Sequence, residues 1–189
     1  MLRRRFLALL PALALPAARG ASPWDLLQSG RHVVLMRHAA TDPGIGDPPG
    51  FKLGACATQR NLSEAGRQDA ANAGAAFKRH AAPLGDVLSS RWCRCVDTAQ
   101  LVFGRVQPAA MLDSMFNDGL AARERKLAQL RTYLSGRRAP GNTVLVTHDV
   151  NIRALVAQYV EPGSIVIASP GTGGELSIEA VFTVADLTG

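Results

Sequence analysis

Two histidines and two arginines stand at comparable places along this sequence. Arg37-His38 follows the apolar run His32-Val33-Val34-Leu35-Met36, Arg94 lies in Ser90-Arg91-Trp92-Cys93-Arg94, and His148 follows Thr143-Val144-Leu145-Val146-Thr147. Each basic group falls at or just past the end of a short run of the kind that makes a strand covered on both faces. In an open α/β sheet the carboxyl ends of the strands border one crevice, where ligands bind. Guanidinium is permanently charged and binds oxyanions through paired N–H groups, and a neutral imidazole carries a nucleophilic lone pair. Gathered at one crevice, the four side chains make a box for a dianionic phosphate with a nitrogen able to attack it. The chemistry implied is phosphoryl transfer through a phosphohistidine.

The elements that must position these groups follow from periodicity and punctuation. His32–Met36 reads as the first strand. Ala40–Ala57, rich in Gly, Pro and Asp, reads as a long loop that covers the crevice. Ser63 is a good N-cap for a helix whose apolar face carries Ala70, Ala73 and Phe77. Asp86–Ser89 reads as a second strand, and Trp92–Phe103 as a helix with Arg94 in its first turn, where anions are favoured. Val106 begins a short edge segment. Leu120–Leu134 has helical period, with Leu127, Leu130 and Leu134 on one side. Thr143–Thr147 is a third strand. Asn151–Val160 reads as the helix behind it, with Ile152, Leu155, Val156 and Tyr159 at core spacing. Ile165–Ile167 and Leu176–Val184 read as a closing pair of strands. The alternation of strand and helix implies a three-layer α/β/α fold with a mostly parallel central sheet and helices on both faces.

The chain of 189 residues opens on a segment of a different kind. Met1–Arg5 is basic, Phe6–Ala18 is apolar and broken by Pro11 and Pro16, and Ala18-Arg19-Gly20 offers small residues to a signal peptidase. Residues 1–20 are therefore expected to be a secretory signal, too short and interrupted to leave a membrane span in the mature chain. Arg3-Arg4-Arg5-Phe6-Leu7 also fits a twin-arginine pattern. The expected location is periplasmic or secreted, with residues 21–189 forming a single domain. The leader takes Arg3, Arg4, Arg5 and Arg19 and no acid, so the 21 basic and 15 acidic residues leave a net charge of +2 beyond it. That balance gives no electrostatic case for binding nucleic acid.

Three cysteines, Cys56, Cys93 and Cys95, meet an oxidising compartment. Cys56 with Cys93 or with Cys95 would close a long loop, leaving one thiol over. Cys-x-Cys without a second pair is no zinc signature, and no metal or cofactor is expected. Arg60 reads as a loop salt bridge or a substrate contact, Trp92 as core or crevice wall, Arg91 as a solvated face, and His32 and His80 as surface or strand-edge residues.

Taken in order, the motifs resemble the histidine phosphatase superfamily, also named for phosphoglycerate mutase. Arg37-His38-Ala39-Ala40-Thr41 resembles its Arg-His-Gly-Glu-Thr opening, departing at Ala39 and Ala40. Leu62-Ser63-Glu64-Ala65-Gly66-Arg67-Gln68 resembles its helix start, Ser90–Ala99 its second-arginine segment, and Val146-Thr147-His148 its second histidine. Asp47-Pro48-Pro49-Gly50-Phe51, Thr58–Ser63 and Trp92-Cys93-Arg94-Cys95 are similar to an extracytoplasmic bacterial branch that includes lipopolysaccharide core heptose-phosphate phosphatases. The resemblance implies a phosphoric monoester hydrolase with His38 as nucleophile. Arg37, Arg94, His148 and Thr41 would bind the phosphate, His148 as a charged donor. Asp149 is the preferred proton donor, as in the phytase-like branch; Asp118 is second, and Asp113 lies in the region another branch uses. The implied substrate is a small phosphorylated molecule such as a sugar phosphate or lipopolysaccharide core. The alternative is a protein of this fold that binds phosphate or phosphoglycan without turning it over, because Ala39 and Ala40 replace the usual Gly and Glu.

Overall fold

The computed structural model of the chain describes residues 22–137 and 140–189; the expected leader, residues 1–20, lies outside the described residues. Side chains alternate across a strand with period two, and here both sides are apolar. In β1 (Val33–Arg37), Val34 and Met36 enter one core while Val33 and Leu35 enter another. β4 (Asn142–Thr147) divides Val144 and Val146 from Leu145, and β5 (Ile165–Pro170) divides Ile165 and Ile167 from Val166, in the same way. Such a sheet must be covered twice. One face is covered by α2 (Glu64–Arg79), α3 (Cys93–Phe103) and the short helices α1 (Pro23–Leu27) and α6 (Val184–Thr188), through Ala70, Ala73, Phe77, Ala99, Val102 and Leu187. The other face is covered by α4 (Leu120–Ser135) and α5 (Asp149–Val156), through Leu130, Leu134 and Ile152. The result is the expected three-layer α/β/α arrangement.

The strand order is β3-β2-β4-β1-β5-β6, with β2 at Leu84–Ser89, β3 at Gln107–Pro108 and β6 at Leu176–Phe182. β3, β2, β4 and β1 run parallel; β5 and β6 form the antiparallel closing pair. Register decides what meets at the carboxyl ends. Arg37 lies opposite Thr147, and the next amide, His38 N–H, still donates to Thr147 O at 3.0 Å. His38 and His148 therefore leave adjacent strands side by side. Ser89 pairs with Val146, and Ser90 N–H donates to Val146 O at 2.9 Å, which brings the start of α3 to the same edge.

Several boundaries differ from the periodicity, β2 starting at Leu84 and β5 running on to Pro170 among them, and at two of them the cause is local. α5 begins at Asp149 and stops at Val156, because Ala157 turns left-handed (φ 55°) and its N–H closes on Arg153 O. Tyr159 therefore lies outside the helix and half exposed rather than in the core, with the Arg37 guanidinium 5.8 Å from its ring centroid. β6 stops at Phe182 because Thr183 caps α6: its hydroxyl accepts from Asp186 N–H and its own N–H donates to the Asp186 carboxylate.

Candidate active site

His38, His148, Arg37 and Arg94, distant in sequence, all line one cavity of about 560 Å³ at the carboxyl ends of β1, β2 and β4. The two imidazole rings lie 5.4 Å apart, edge to face. His38 Nδ1 is 2.8 Å from Ala39 O. A carbonyl only accepts, so Nδ1 carries the hydrogen and Nε2 of the neutral ring keeps its lone pair. His148 Nε2 lies 2.9 Å from Ser90 Oγ and 3.5 Å from Cys95 Sγ, so the end of β2 and the first turn of α3 fix that ring.

The loop after β1 is tied down on both sides. Ala39 N–H donates to Thr98 Oγ1 (3.0 Å), and that hydroxyl donates to Arg94 O (2.6 Å). Ala40 O lies directly against the first turn of α2 and accepts from Ser63 N–H at 3.1 Å. Gly66 allows that approach, since a Cβ there would fall 2.0 Å from Ala40 O. Thr41 is turned to a different purpose: it forms a backbone bridge with Leu62 and does not line the cavity. Its expected contact with phosphate has no support in the geometry.

Three guanidiniums face the histidines rather than two. Arg37 donates from Nη1 to Val160 O at 2.7 Å, and Arg60 donates from Nη1 to Gly44 O at 2.6 Å. Arg94 donates to both oxygens of Asp47, Nη1 to Oδ1 at 2.7 Å and Nη2 to Oδ2 at 3.3 Å. Each of the three keeps a buried Nε–H with no acceptor. Asp47 also accepts from Trp92 Nε1 (2.9 Å) and from Arg60 N–H (3.0 Å). Burial alone would raise its pKa, but the bonds from Arg94, Arg60 and Trp92 outweigh it and hold the carboxyl below its ordinary range.

The three candidate acids part company. Asp149 lines the cavity, and its Oδ1 is buried without a hydrogen-bond partner; its Oδ2 is 3.8 Å from Arg153. Asp118 also lines the cavity but accepts from Lys126 Nζ at 2.7 Å. Asp113 lies elsewhere: its buried carboxylate receives Arg91 N–H at 2.9 Å and Arg91 Nε–H at 2.8 Å, which fixes the turn before α3. That ion pair also gives Arg91 a partner that its reading as a solvated face did not include.

Electrostatics keep both rings neutral. The His38 pKa is pushed down to about 3, chiefly by burial, with Arg94, Arg37 and Arg60 adding to the effect against the opposing bond to Ala39 O. His148 is held well below 6.5 by burial first, then by His38, Arg94, Lys126 and Arg37. With no anion between the rings His148 is a neutral ring, so the charged donor expected of it requires the phosphate to be in place.

Cys56 pairs with Cys93, which resolves the disulfide alternatives and leaves Cys95 buried and free beside His148. The bridge pins the Gly- and Pro-rich loop to the start of α3. Gln59 Oε1 adds a second clamp by accepting from Cys93 N–H at 3.0 Å. As expected, the loop covers the crevice, lending Ile45, Asp47 and Phe51 to the cavity, with Arg60 just beyond it. Trp92 forms part of the wall, and Arg60 is a cavity residue as well as a loop anchor. Asp47, Ser90 and Cys95 escaped the reading of single residues. The only signal for Asp47 was its place in Asp-Pro-Pro-Gly-Phe, and a buried acid in a loop has no period to betray it.

Residues 33–118 match the family model described as Histidine phosphatase superfamily (branch 1). Solved structures of the same fold include the protein histidine phosphatase SixA complexed with tungstate, at 14% identity and a TM-score of 0.57 over 82% of this chain and 99% of that one. A putative alpha-ribazole-5'-P phosphatase from Escherichia coli is 17% identical, with a TM-score of 0.62 over 82% and 97%. A phosphoserine phosphatase from Entamoeba histolytica, in complex with 3-phosphoglyceric acid, is 16% identical, with a TM-score of 0.59 over 82% and 98%. No curated protein sequence matches the chain. The solved phosphatases share the fold of this chain, and the family match over residues 33–118 supports the histidine phosphatase superfamily.

Proposed function

We propose that this protein is an exported phosphomonoesterase that works through a phosphohistidine on His38. The observation that carries the reading is the His38 tautomer: Nδ1–H is spent on Ala39 O, which leaves the Nε2 lone pair in a cavity lined by three guanidiniums. The unpartnered Nε–H groups of Arg37, Arg60 and Arg94 are buried donors suited to phosphate oxygens. In the first step Nε2 bonds to phosphorus as the ester P–O bond breaks, and Asp149 gives its proton to the departing alcohol oxygen. In the second, water attacks the phosphohistidine, returns the proton to Asp149 and releases inorganic phosphate. The arginines hold the charge spread over the transferring group, and such positioning and electrostatic stabilisation supply most of the rate in phosphoryl transfer. A dianion between the rings favours protonation of His148, which then donates to it.

Asp149 is preferred to Asp118 as the proton donor because one of its oxygens has no partner, whereas Asp118 is committed to Lys126. Export rests on the leader and is supported by the Cys56–Cys93 disulfide, a bond that persists in oxidising compartments. The motif likeness supports a sugar phosphate or a lipopolysaccharide core component as substrate. The free lone pair on His38 and the unpartnered Asp149 oxygen favour turnover over mere phosphate binding. The test is release of inorganic phosphate from a panel of phosphate esters by the oxidised mature chain and by His38→Ala. Release that depends on His38 supports the proposal; phosphate binding without release from any ester contradicts it.

A further inference from the structure

The cavity has an apolar rim that phosphate does not use. Ile45, 93% exposed, and Phe116, 54% exposed, are among the most exposed large apolar side chains of the described residues, and both line this cavity. They come from separate segments, the loop after β1 and the stretch between β3 and α4. Phe51, Trp92 and Val150 carry the apolar surface inward. The Trp92 ring lies 5.8 Å from Phe51 and 5.6 Å from His148, so the surface reaches the reacting groups. Apolar side chains left in water around a concave site mark where a ligand body rests.

Charge sets a second condition. Arg37, Arg60 and Arg94 face Asp47, Asp118 and Asp149, while Lys126 and Arg153 lie beside the last two acids and both imidazoles are neutral. A second anion on the substrate would meet the carboxylate of Asp118 on the wall.

We propose that the substrate is a monophosphate ester whose alcohol portion is uncharged and presents an apolar face, and that Ile45 and Phe116 are the side chains that select it. This rests on the phosphatase reading above and narrows it. It favours a lightly hydroxylated alcohol and, of the two substrates named above, speaks against the polyanionic lipopolysaccharide core.

The test uses the oxidised mature chain and n-alkylphosphonates from ethyl to octyl, which bind without being hydrolysed, with binding read by calorimetry. Affinity is expected to rise along the series, by up to about fourfold for each methylene covered. The double substitution Ile45→Ser, Phe116→Ser is expected to bring the octyl-to-ethyl affinity ratio toward one. An affinity independent of chain length in the parent protein overturns the inference. So does tighter binding of a phosphonate bearing a second carboxylate than of the alkyl analogue of equal length. Hydrolysis of the matching alkyl phosphates is measured separately. Octylphosphonate bound tightly with octyl phosphate left intact would sink the phosphatase reading while leaving the binding preference standing.

Discussion

Asp47 grips Arg94 with both carboxylate oxygens, and the two side chains are 7% and 5% exposed. A loop acid thus aims an arginine that enters the cavity from the first turn of a helix. A buried guanidinium left alone is costly, so the loop and the helix depend on each other.

Breaking this pair should cost both stability and activity. Asp47→Ala leaves Arg94 buried without its partner, a loss of about 3 kcal/mol, the low end of the range for buried pairs because the cavity admits water. Urea denaturation checks that figure. kcat/KM for a phosphate ester should fall at least tenfold, since Arg94 loses its fixed plane and Trp92 loses its acceptor. Unchanged kinetics would mean that Arg94 is aimed by something else.

The pH dependence of stability has a defined sign. The folded pKa of His38 is lowered from 6.5 to about 3, and that of His148 is lowered too. The unfolded chain therefore binds more protons below about pH 6.5, and stability falls as pH drops from there toward 3. Asp47, also lowered, acts in the same direction: its contribution is present above the ordinary carboxylate range and is lost as pH falls through its folded value. Denaturation midpoints should be level between pH 7 and 8 and decline steadily below 6.5. NMR of the His38 ring should find no titration between pH 8 and 5.

Removing the Cys56–Cys93 bridge should loosen the wall that carries Asp47 and Arg60. It joins residues 37 apart, so chain entropy assigns it about 4 kcal/mol. Cys56 is exposed, so a small thiol reductant can reach it. Reduction should lower Tm and raise KM more than it lowers kcat, because the reacting histidines stand on strands that the bridge does not touch.

Asp149→Asn should slow esters with poor leaving groups by about a hundredfold, the scale of a lost general acid, and 4-nitrophenyl phosphate much less. Equal effects on the two would assign the proton transfer to Asp118 or another group.

The sheet and the meeting of His38, Arg37, Arg94 and His148 were legible because strand ends follow from apolar runs, and register then brings them together. The end of α5 was not, since Ala157 adopts a left-handed conformation that no apolar period announces, and Tyr159 went from core to rim with it. Thr41 followed its motif in sequence but was drawn into a bridge with Leu62. Asp47 and Arg60 were beyond reach because a loop's shape is set by its contacts, here the disulfide, the Gln59 clamp and Arg94. The contact of Asp118 with Lys126 was not legible either, since eight residues along the chain is a spacing that does not by itself announce a contact.

The most direct test of the account is to trap the intermediate. The oxidised protein is mixed with a 32P-labelled phosphate monoester, quenched in alkali within milliseconds, and digested for mass spectrometry. The account predicts label that survives base, is lost in acid, maps to His38 and vanishes in His38→Ala. Rapid phosphate release with no label on His38 at any quench time, or label on His148 in its place, would contradict it.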